Sequence, residues 1–374
     1  MKLFIIAGTR PEAIKLVPLY IEAKKRGLEV KFISTGQHRE MLDQVFQWFE
    51  IQPDEDLEIM QKNQTLATLT SNALLKLDTL FAEEKPDWVI VQGDTTTAFV
   101  ASLAAYYHKI KVAHVEAGLR THNKYSPWPE EINRSLIGRI ADLHFAPTAL
   151  SAENLKRENI AEDKIFITGN TVIDALLYTN EKAIKENIFP VQLQDYFIGE
   201  EKNRKLVLIT GHRRENWGLG FEEICKAIQT LAARYTDIHF IYPVHLNPNV
   251  QEPVQRLLIG HHNIILTDPL NYPEFVRMME RSYIILSDSG GVQEEAPSLG
   301  KPVLVMRDTT ERPEGVEAGS VKLVGTSSES IINSFIELIE DDSVYKKMSN
   351  VKNPYGDGTA SMKIIKFLSK FHFF

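Results

Sequence analysis

Short apolar runs recur along the chain, each separated from the next by a helix-length amphipathic stretch. In the first half the runs are Leu3–Ala7, Val30–Thr35, Trp88–Gln92, Lys111–Val115, Leu143–Ala146 and Ile165–Thr168. Between them lie Pro11–Arg26, Gln64–Glu84 and Thr96–Tyr107. Strands that are apolar throughout rather than alternating are buried on both faces, and the helical spacers are the crossovers that parallel strands require. The pattern predicts α/β architecture with a parallel sheet covered on both sides.

The alternation stops over residues 179–204, which are polar and carry no strand signal. It restarts with Leu206–Thr210, His239–Pro243, Ile264–Thr267, Tyr283–Ser287, Pro302–Met306 and Lys322–Val324. Two Rossmann-like halves follow, and 374 residues suffice for two cores. The expected domains are residues 1–170 and 171–357, with an amphipathic helix over about 358–374 packing back on the first. In open α/β sheets ligands bind at the carboxyl ends of strands, so the expected site is a cleft between the two sets of strand ends.

Composition narrows the function classes. Hydrophobic residues at 43% and charged residues at 25% exclude global disorder. A net charge of −8 argues against broad nucleic-acid binding but leaves room for a small anion held by local cations. Cys225 is the only cysteine, which rules out an intrachain disulfide and a cysteine-rich zinc site. No run approaches the ~20 apolar residues of a membrane span, and Met1–Ala7 is too short for a signal h-region. These features predict a cytoplasmic protein with no membrane and no nucleic-acid partner.

Residues with chemical use gather at strand ends in both halves. The first strand runs into Gly8-Thr9-Arg10-Pro11-Glu12-Ala13-Ile14-Lys15, where a helix N-terminus with Arg10 and Lys15 nearby suits a phosphate. The same segment also reads as a plain strand-to-helix turn. In the second half Asp288-Ser289-Gly290-Gly291 opens a helix after a buried strand. Its backbone can approach a diphosphate, and Glu295, one turn on, is in reach of ribose hydroxyls. Arg312 is a further candidate anion contact.

Three acids follow strands or open a helix in the first half: Asp94 after Trp88–Gly93, Glu116 after Val112–Val115, and Glu130 in Ser126-Pro127-Trp128-Pro129-Glu130-Glu131. Asp94 also suits an N-cap and Glu130 a first helical turn, where acids are favoured. Glu116, straight after an apolar strand, belongs at the sheet rim. Acids on consecutive βα units facing one cleft wall are what proton transfer needs. His212, after Leu206–Thr210, reads as a general acid or a diphosphate donor. His245 is a second strand-end histidine with nothing local to favour function. Asp94, Glu116 and His212 lack metal-ligand spacing, so neither a catalytic metal nor a cofactor is expected.

At these residues the chain closely resembles the non-hydrolysing UDP-N-acetylglucosamine 2-epimerases of the GT-B superfamily. The resemblance runs from Gly8–Lys15 to Asn353-Pro354-Tyr355-Gly356-Asp357-Gly358. It passes through Gln37–Leu42, Gly93–Thr97, His114–Arg120, Ser126–Glu131, Thr210–Glu215 and Asp288–Gly291. It implies a GT-B fold with two parallel-sheet domains facing a central cleft, an isomerase, and interconversion of UDP-GlcNAc and UDP-ManNAc. The family's reaction eliminates UDP to give 2-acetamidoglucal and then re-adds it. It also implies Asp94, Glu116 and Glu130 as catalytic acids, with Lys15 close to them and His212 near the diphosphate and sugar. Arg10, Phe275, Ser289, Gly290, Gly291, Glu295 and Arg312 match positions that hold UDP. A homodimer and a role in supplying surface polysaccharide come from the same resemblance.

Gln37, Glu40 and His245 match an effector site for UDP-GlcNAc found in bacterial members. One residue departs from the pattern. Asn72 stands where many relatives carry an arginine, and an amide does not replace a guanidinium fork. The rival readings are an epimerase of a related UDP-2,3-diacetamido uronic acid, a GT-B glycosyltransferase and a non-catalytic nucleotide-sugar sensor.

Overall fold

The computed structural model describes residues 1–36, 39–60 and 64–371. It divides into two compact units, Met1–Ala175 with Tyr355–Phe374, and Leu176–Pro354. The first holds a parallel sheet of β1 (Lys2–Ala7), β2 (Glu29–Ser34), β3 (Glu55–Asp56), β4 (Trp88–Gln92), β5 (Lys111–Val115), β6 (Leu143–Ala146) and β7 (Ile165–Ile167). Its spatial order is β3-β2-β1-β4-β5-β6-β7. The second holds β8 (Leu206–Thr210), β9 (His239–Pro243), β10 (Ile264–Thr267), β11 (Ile284–Ser287), β12 (Val303–Val305) and β13 (Val321–Leu323). The order there is β10-β9-β8-β11-β12-β13. Each sheet reverses its strand order beside its first strand, where doubly wound folds place their ligands.

The apolar runs form strands because both faces are covered. β4 is buried along its whole length, and β1 from Leu3 onward. Only β3 escaped the apolar pattern. Its two residues, Glu55 and Asp56, are acidic and pair at the sheet edge with Ile33 and Ser34, where burial asks little of the side chains.

The unit boundary falls inside the helix Thr171–Lys185 rather than before it. The first turn of that helix belongs to the first unit because of what it holds. Val172 and Ile173 pack with Tyr355, and the carboxylate of Asp174 accepts from the backbone N–H of Ala360 and Ser361 at 3.2 and 2.8 Å. Asp174 thus caps the helix Ala360–Lys370 from a distant part of the chain, satisfying donors that a helix cannot satisfy itself. Phe367 seals the same helix by packing against Phe166 of β7, with ring centroids 4.4 Å apart.

Two histidines lie buried in the first sheet, paired across the β5–β6 ladder as His114 and His144. The Nε2 of His114 donates to the carbonyl of Gly93 at 2.7 Å, and the Nδ1 of each ring is buried without a partner. Burial holds both rings neutral, with pKa lowered to about 3 for His114 and about 4 for His144. A ring that stays neutral when folded but takes a proton near 6.5 when unfolded destabilises the fold progressively below 6.5. The expected loss is about 1.4 kcal/mol per pH unit for each ring between 6.5 and its folded value. Urea unfolding measured from pH 7 to pH 4.5 should show this slope, and His144→Gln should remove one ring's share of it.

Candidate active site

Parallel register brings the site of the first unit together. Gln92 of β4 lies opposite Val115 of β5, and Val115 opposite Phe145 of β6. The residues that follow each strand therefore emerge side by side at one rim, with the N–H of Gly93 donating to the carbonyl of Val115 at 3.0 Å. Glu116 leaves β5 there with φ of 59°, in the left-handed region. That conformation costs a non-glycine residue about 1–2 kcal/mol and concentrates at functional sites.

Glu116 is 6% exposed, and its carboxylate is surrounded by donors. The ammonium of Lys15 lies 2.8 and 2.7 Å from its two oxygens, Asn170 Nδ2 donates to Oε1 at 3.0 Å, and Gln92 Nε2 donates to Oε2. Every one of these contacts gives a proton to an acceptor, so the group is held as a carboxylate. Asp94 follows β4 by two residues. Its carboxylate pairs with Arg134, and its backbone carbonyl accepts from Asn133 at 2.9 Å. Burial raises the Asp94 pKa; Arg134 opposes the rise and the charge of Glu116 adds to it.

Glu130 opens the helix Glu130–Ile140 and is half-buried. Among the described residues no hydrogen bond or ion pair ties it to Glu116 or Asp94. Its neighbour Glu131 is buried, accepting from the backbone N–H of Thr121 at 3.1 Å and of His122 at 2.8 Å. Glu131 also lies 3.3 Å from Arg134. One guanidinium therefore links the 121–129 loop to Asp94.

The structure corrects the reading of the first helix N-terminus. The backbone N–H groups of Gly8 and Thr9 are not open to a phosphate: they donate to the buried carboxylate of Glu12 at 3.0 and 2.8 Å. The hydroxyls of Thr9 and Thr95 donate to it too, at 2.8 and 2.5 Å. Thr9 and Glu12 form a capping box, so the chain supplies its own anion. Gly8 is required by close packing, because a side chain there would run into Thr35 and Thr97. Lys15 points to Glu116, and Arg10 is half-buried in the helix's first turn.

The second unit repeats the device with a different clamp. Ser287 of β11 pairs with Thr210 of β8, which sets Asp288 beside Gly211. Asp288 is fully buried, and its Oδ2 accepts from the backbone N–H of His212 and of Arg213, both at 2.8 Å. The His212 ring is 41% exposed and stacks on His245, with centroids 5.3 Å apart. Burial lowers the His212 pKa, Asp288 opposes this, and His245 and Arg213 add to it.

Ser289 precedes the helix Gly290–Glu295. Neither Gly290 nor Gly291 has a positive φ, and a Cβ at either position would meet only ordinary contacts. These glycines keep side chains off the turn rather than permitting a strained backbone. Glu295 accepts from the hydroxyl of Tyr272 at 3.4 Å, which ties this turn to the helix Tyr272–Arg281 that carries Phe275. Arg312, expected as an anion contact, pairs with the buried Glu294. Gln37 lies outside the described residues, as does the side chain of Glu40. Asn72 sits half-buried in the helix Leu66–Glu84.

Sequence reading missed Gln92, Asn170, Arg134, Asp288 and Tyr272. Asn170 and Asp288 follow strands as Glu116 does, so the strand-end rule applied without exception would have picked both. Arg134 and Tyr272 carry no such signal.

The two parallel-sheet units define an α/β protein of the GT-B class. A sequence profile of the UDP-N-acetylglucosamine 2-epimerase family matches residues 21–369. The chain is 54% identical over 373 residues to the UDP-N-acetylglucosamine 2-epimerase of Campylobacter jejuni, covering 99% of this chain and 97% of that one. It is 53% identical over 369 residues to the Escherichia coli K12 protein of the same name, with 98% of each chain covered. The Neisseria meningitidis UDP-GlcNAc 2-epimerase, solved bound to UDP-GlcNAc, superposes with a TM-score of 0.89 at 53% identity, over 99% of this chain and 100% of that one. The chain belongs to the UDP-N-acetylglucosamine 2-epimerase family.

The clamp on Glu116 makes a direct prediction. Lys15→Met takes the ammonium away from a buried carboxylate. Removing one partner of a buried pair costs about 3 kcal/mol or more. Thermal unfolding should register that loss, and Lys15→Arg should recover part of it.

Proposed function

We propose that the chain interconverts UDP-GlcNAc and UDP-ManNAc by inverting the sugar at C2. Membership of the family, at more than 50% identity over nearly the whole chain, supports the substrate pair. The observation that carries the chemistry is the Glu116 carboxylate, kept ionised in a strained backbone by Lys15, Gln92 and Asn170 and set beside Asp94.

The C2 proton is not next to a carbonyl, so its bare carbanion has no enolate stabilisation. Coupling loss of that proton to departure of UDP from C1 avoids the carbanion and gives 2-acetamidoglucal. Re-addition of UDP with protonation of the opposite face completes the inversion. A group fixed as a carboxylate is suited to removing a proton, and a carboxyl whose pKa is raised is suited to giving one. Glu116 therefore serves as base and Asp94 as acid in one direction, and they exchange roles in the other. Glu130 is the third acid of the set. The UDP contacts are Arg10, Phe275, Ser289, Gly290, Gly291, Glu295 and Arg312, with His212 at the diphosphate and sugar. No metal or cofactor enters the scheme.

The protein works in the cytoplasm and feeds surface polysaccharide. Gln37, Glu40 and His245 form its effector site, in which Asn72 weakens the grip on an anion. It acts as a homodimer. Leu75, Tyr106 and Tyr107 support this, being large apolar side chains left exposed on the neighbouring helices Leu66–Glu84 and Thr96–Tyr107.

The test is incubation with UDP-GlcNAc in deuterated water, without acceptor, followed by proton NMR. UDP-ManNAc carrying deuterium at C2 is the expected product, and epimerisation without solvent label would sink the scheme. Turnover only with an acceptor identifies a glycosyltransferase instead. Glu116→Gln should lower kcat at least 100-fold, general-base catalysis being worth about 10²–10⁴. Binding without turnover in the parent chain identifies a sensor.

A further inference from the structure

Asp288 is a buried carboxylate of which only half is used. Its Oδ2 takes three donors: the backbone N–H groups of His212 and Arg213 at 2.8 Å each, and the side-chain amide of Asn216 at 3.3 Å. Its Oδ1 is buried with no hydrogen-bond partner. A buried carboxylate oxygen without a donor is costly and calls for an explanation. The nearest ionisable nitrogen is Nδ1 of His212, 3.5 Å away, just beyond hydrogen-bond reach.

Among the described residues, the titratable and charged groups that act on this ring are Asp288, His245 and Arg213. His245 lies face to face with it at an interplanar angle of 13°, so it restrains tilt without offering an in-plane partner. Arg213, on the same loop, carries positive charge and repels a ring proton. Asp288 attracts a proton to the ring. It also pins the ring's own backbone N–H, so the oxygen facing Nδ1 is fixed relative to the ring's Cα.

We propose that Asp288 is the positioning residue of His212, its free oxygen holding the proton on Nδ1 and so leaving Nε2 as the nitrogen offered to the ligand. This rests on the assignment of His212 to the diphosphate and sugar. A small rotation of the ring closes the 3.5 Å gap to a hydrogen bond. Which nitrogen carries the proton then follows from the carboxylate, because a carboxylate only accepts. Asp288 does not touch the ligand and acts through the ring.

Asp288→Asn tests this directly. The amide oxygen can still accept from the two backbone N–H groups, while its NH2 faces Nδ1 and moves the ring proton to Nε2. The expected result is a fall in kcat of at least about 100-fold, as for other histidines turned to the wrong tautomer. UDP affinity, measured by calorimetry, should stay within about threefold. With its anionic neighbour gone, the His212 pKa drops, so the limb of the kcat–pH profile that it governs moves to lower pH.

The double variant Asp288→Asn with His212→Asn should be no slower than His212→Asn alone. Full activity in Asp288→Asn, or losses that multiply in the double variant, would overturn the proposal. If Asp288→Asn does not fold, 15N NMR of the imidazole in the parent protein decides: the Nδ1–H tautomer supports the proposal and the Nε2–H tautomer defeats it. Undiminished turnover in His212→Asn defeats the assignment of His212 itself, and the tautomer measurement still decides the Asp288 contact.

Discussion

A carboxylate removed from water must be compensated on the spot, because desolvation of a charge costs several kcal/mol. Glu116, at the end of β5, meets that demand with an ammonium and two side-chain amides drawn from three other parts of the first unit: the first helix, the end of β4 and the residue just before the helix Thr171–Lys185. Those segments cannot shift independently without stranding the charge. The arrangement around Glu116 therefore constrains the whole rim. It fixes the direction of the first helix, the exit of β4 toward Asp94 and the start of the helix that carries Asp174. The left-handed backbone at Glu116 is tolerated because so many partners hold the side chain in place.

The parallel ladder makes such convergence possible. Strands in register finish at one edge, so residues far apart in sequence arrive next to one another. Gln92, Glu116 and Asn170 meet this way in the first unit, and Gly211, His212 and Asp288 in the second. Both units place a buried carboxylate just past a strand. The compensation differs, and with it the chemistry. Glu116 is met by side-chain donors including a full positive charge, which holds its own charge at the rim. Asp288 is met mainly by backbone N–H groups, which makes it a fixture that shapes a loop and orients the histidine on it.

Much of this was legible in the chain. The apolar runs located every strand except β3, whose two acidic residues carry no burial signal. The strand-end rule drew attention to Asp94, Glu116, His212 and Ser289. Partner choice was not legible. Glu12 and Glu131 stand in first helical turns, where acids are common, yet each is buried and folds a loop around itself. Lys15 read locally as a phosphate contact, whereas the resemblance placed it close to the acids, and it is an ion-pair partner of Glu116, 101 residues away. Arg10 and Lys15 are five residues apart in one helix, and nothing local distinguishes a cation that faces a ligand from one that faces a carboxylate.

The sequence by itself determined the doubly wound parallel architecture, the division into two units and the identity of the residues at the strand ends. Period and burial are written into composition at the scale of a single element, so they can be read without a structure. Only the tertiary structure decided which acid is clamped, which anion fills the first helix N-terminus and which carboxylate stands behind His212. Those outcomes depend on the register of strands and on donors tens of residues away. A charge in a low-dielectric interior is governed by neighbours within a few ångströms, and distance along the chain does not report distance in space.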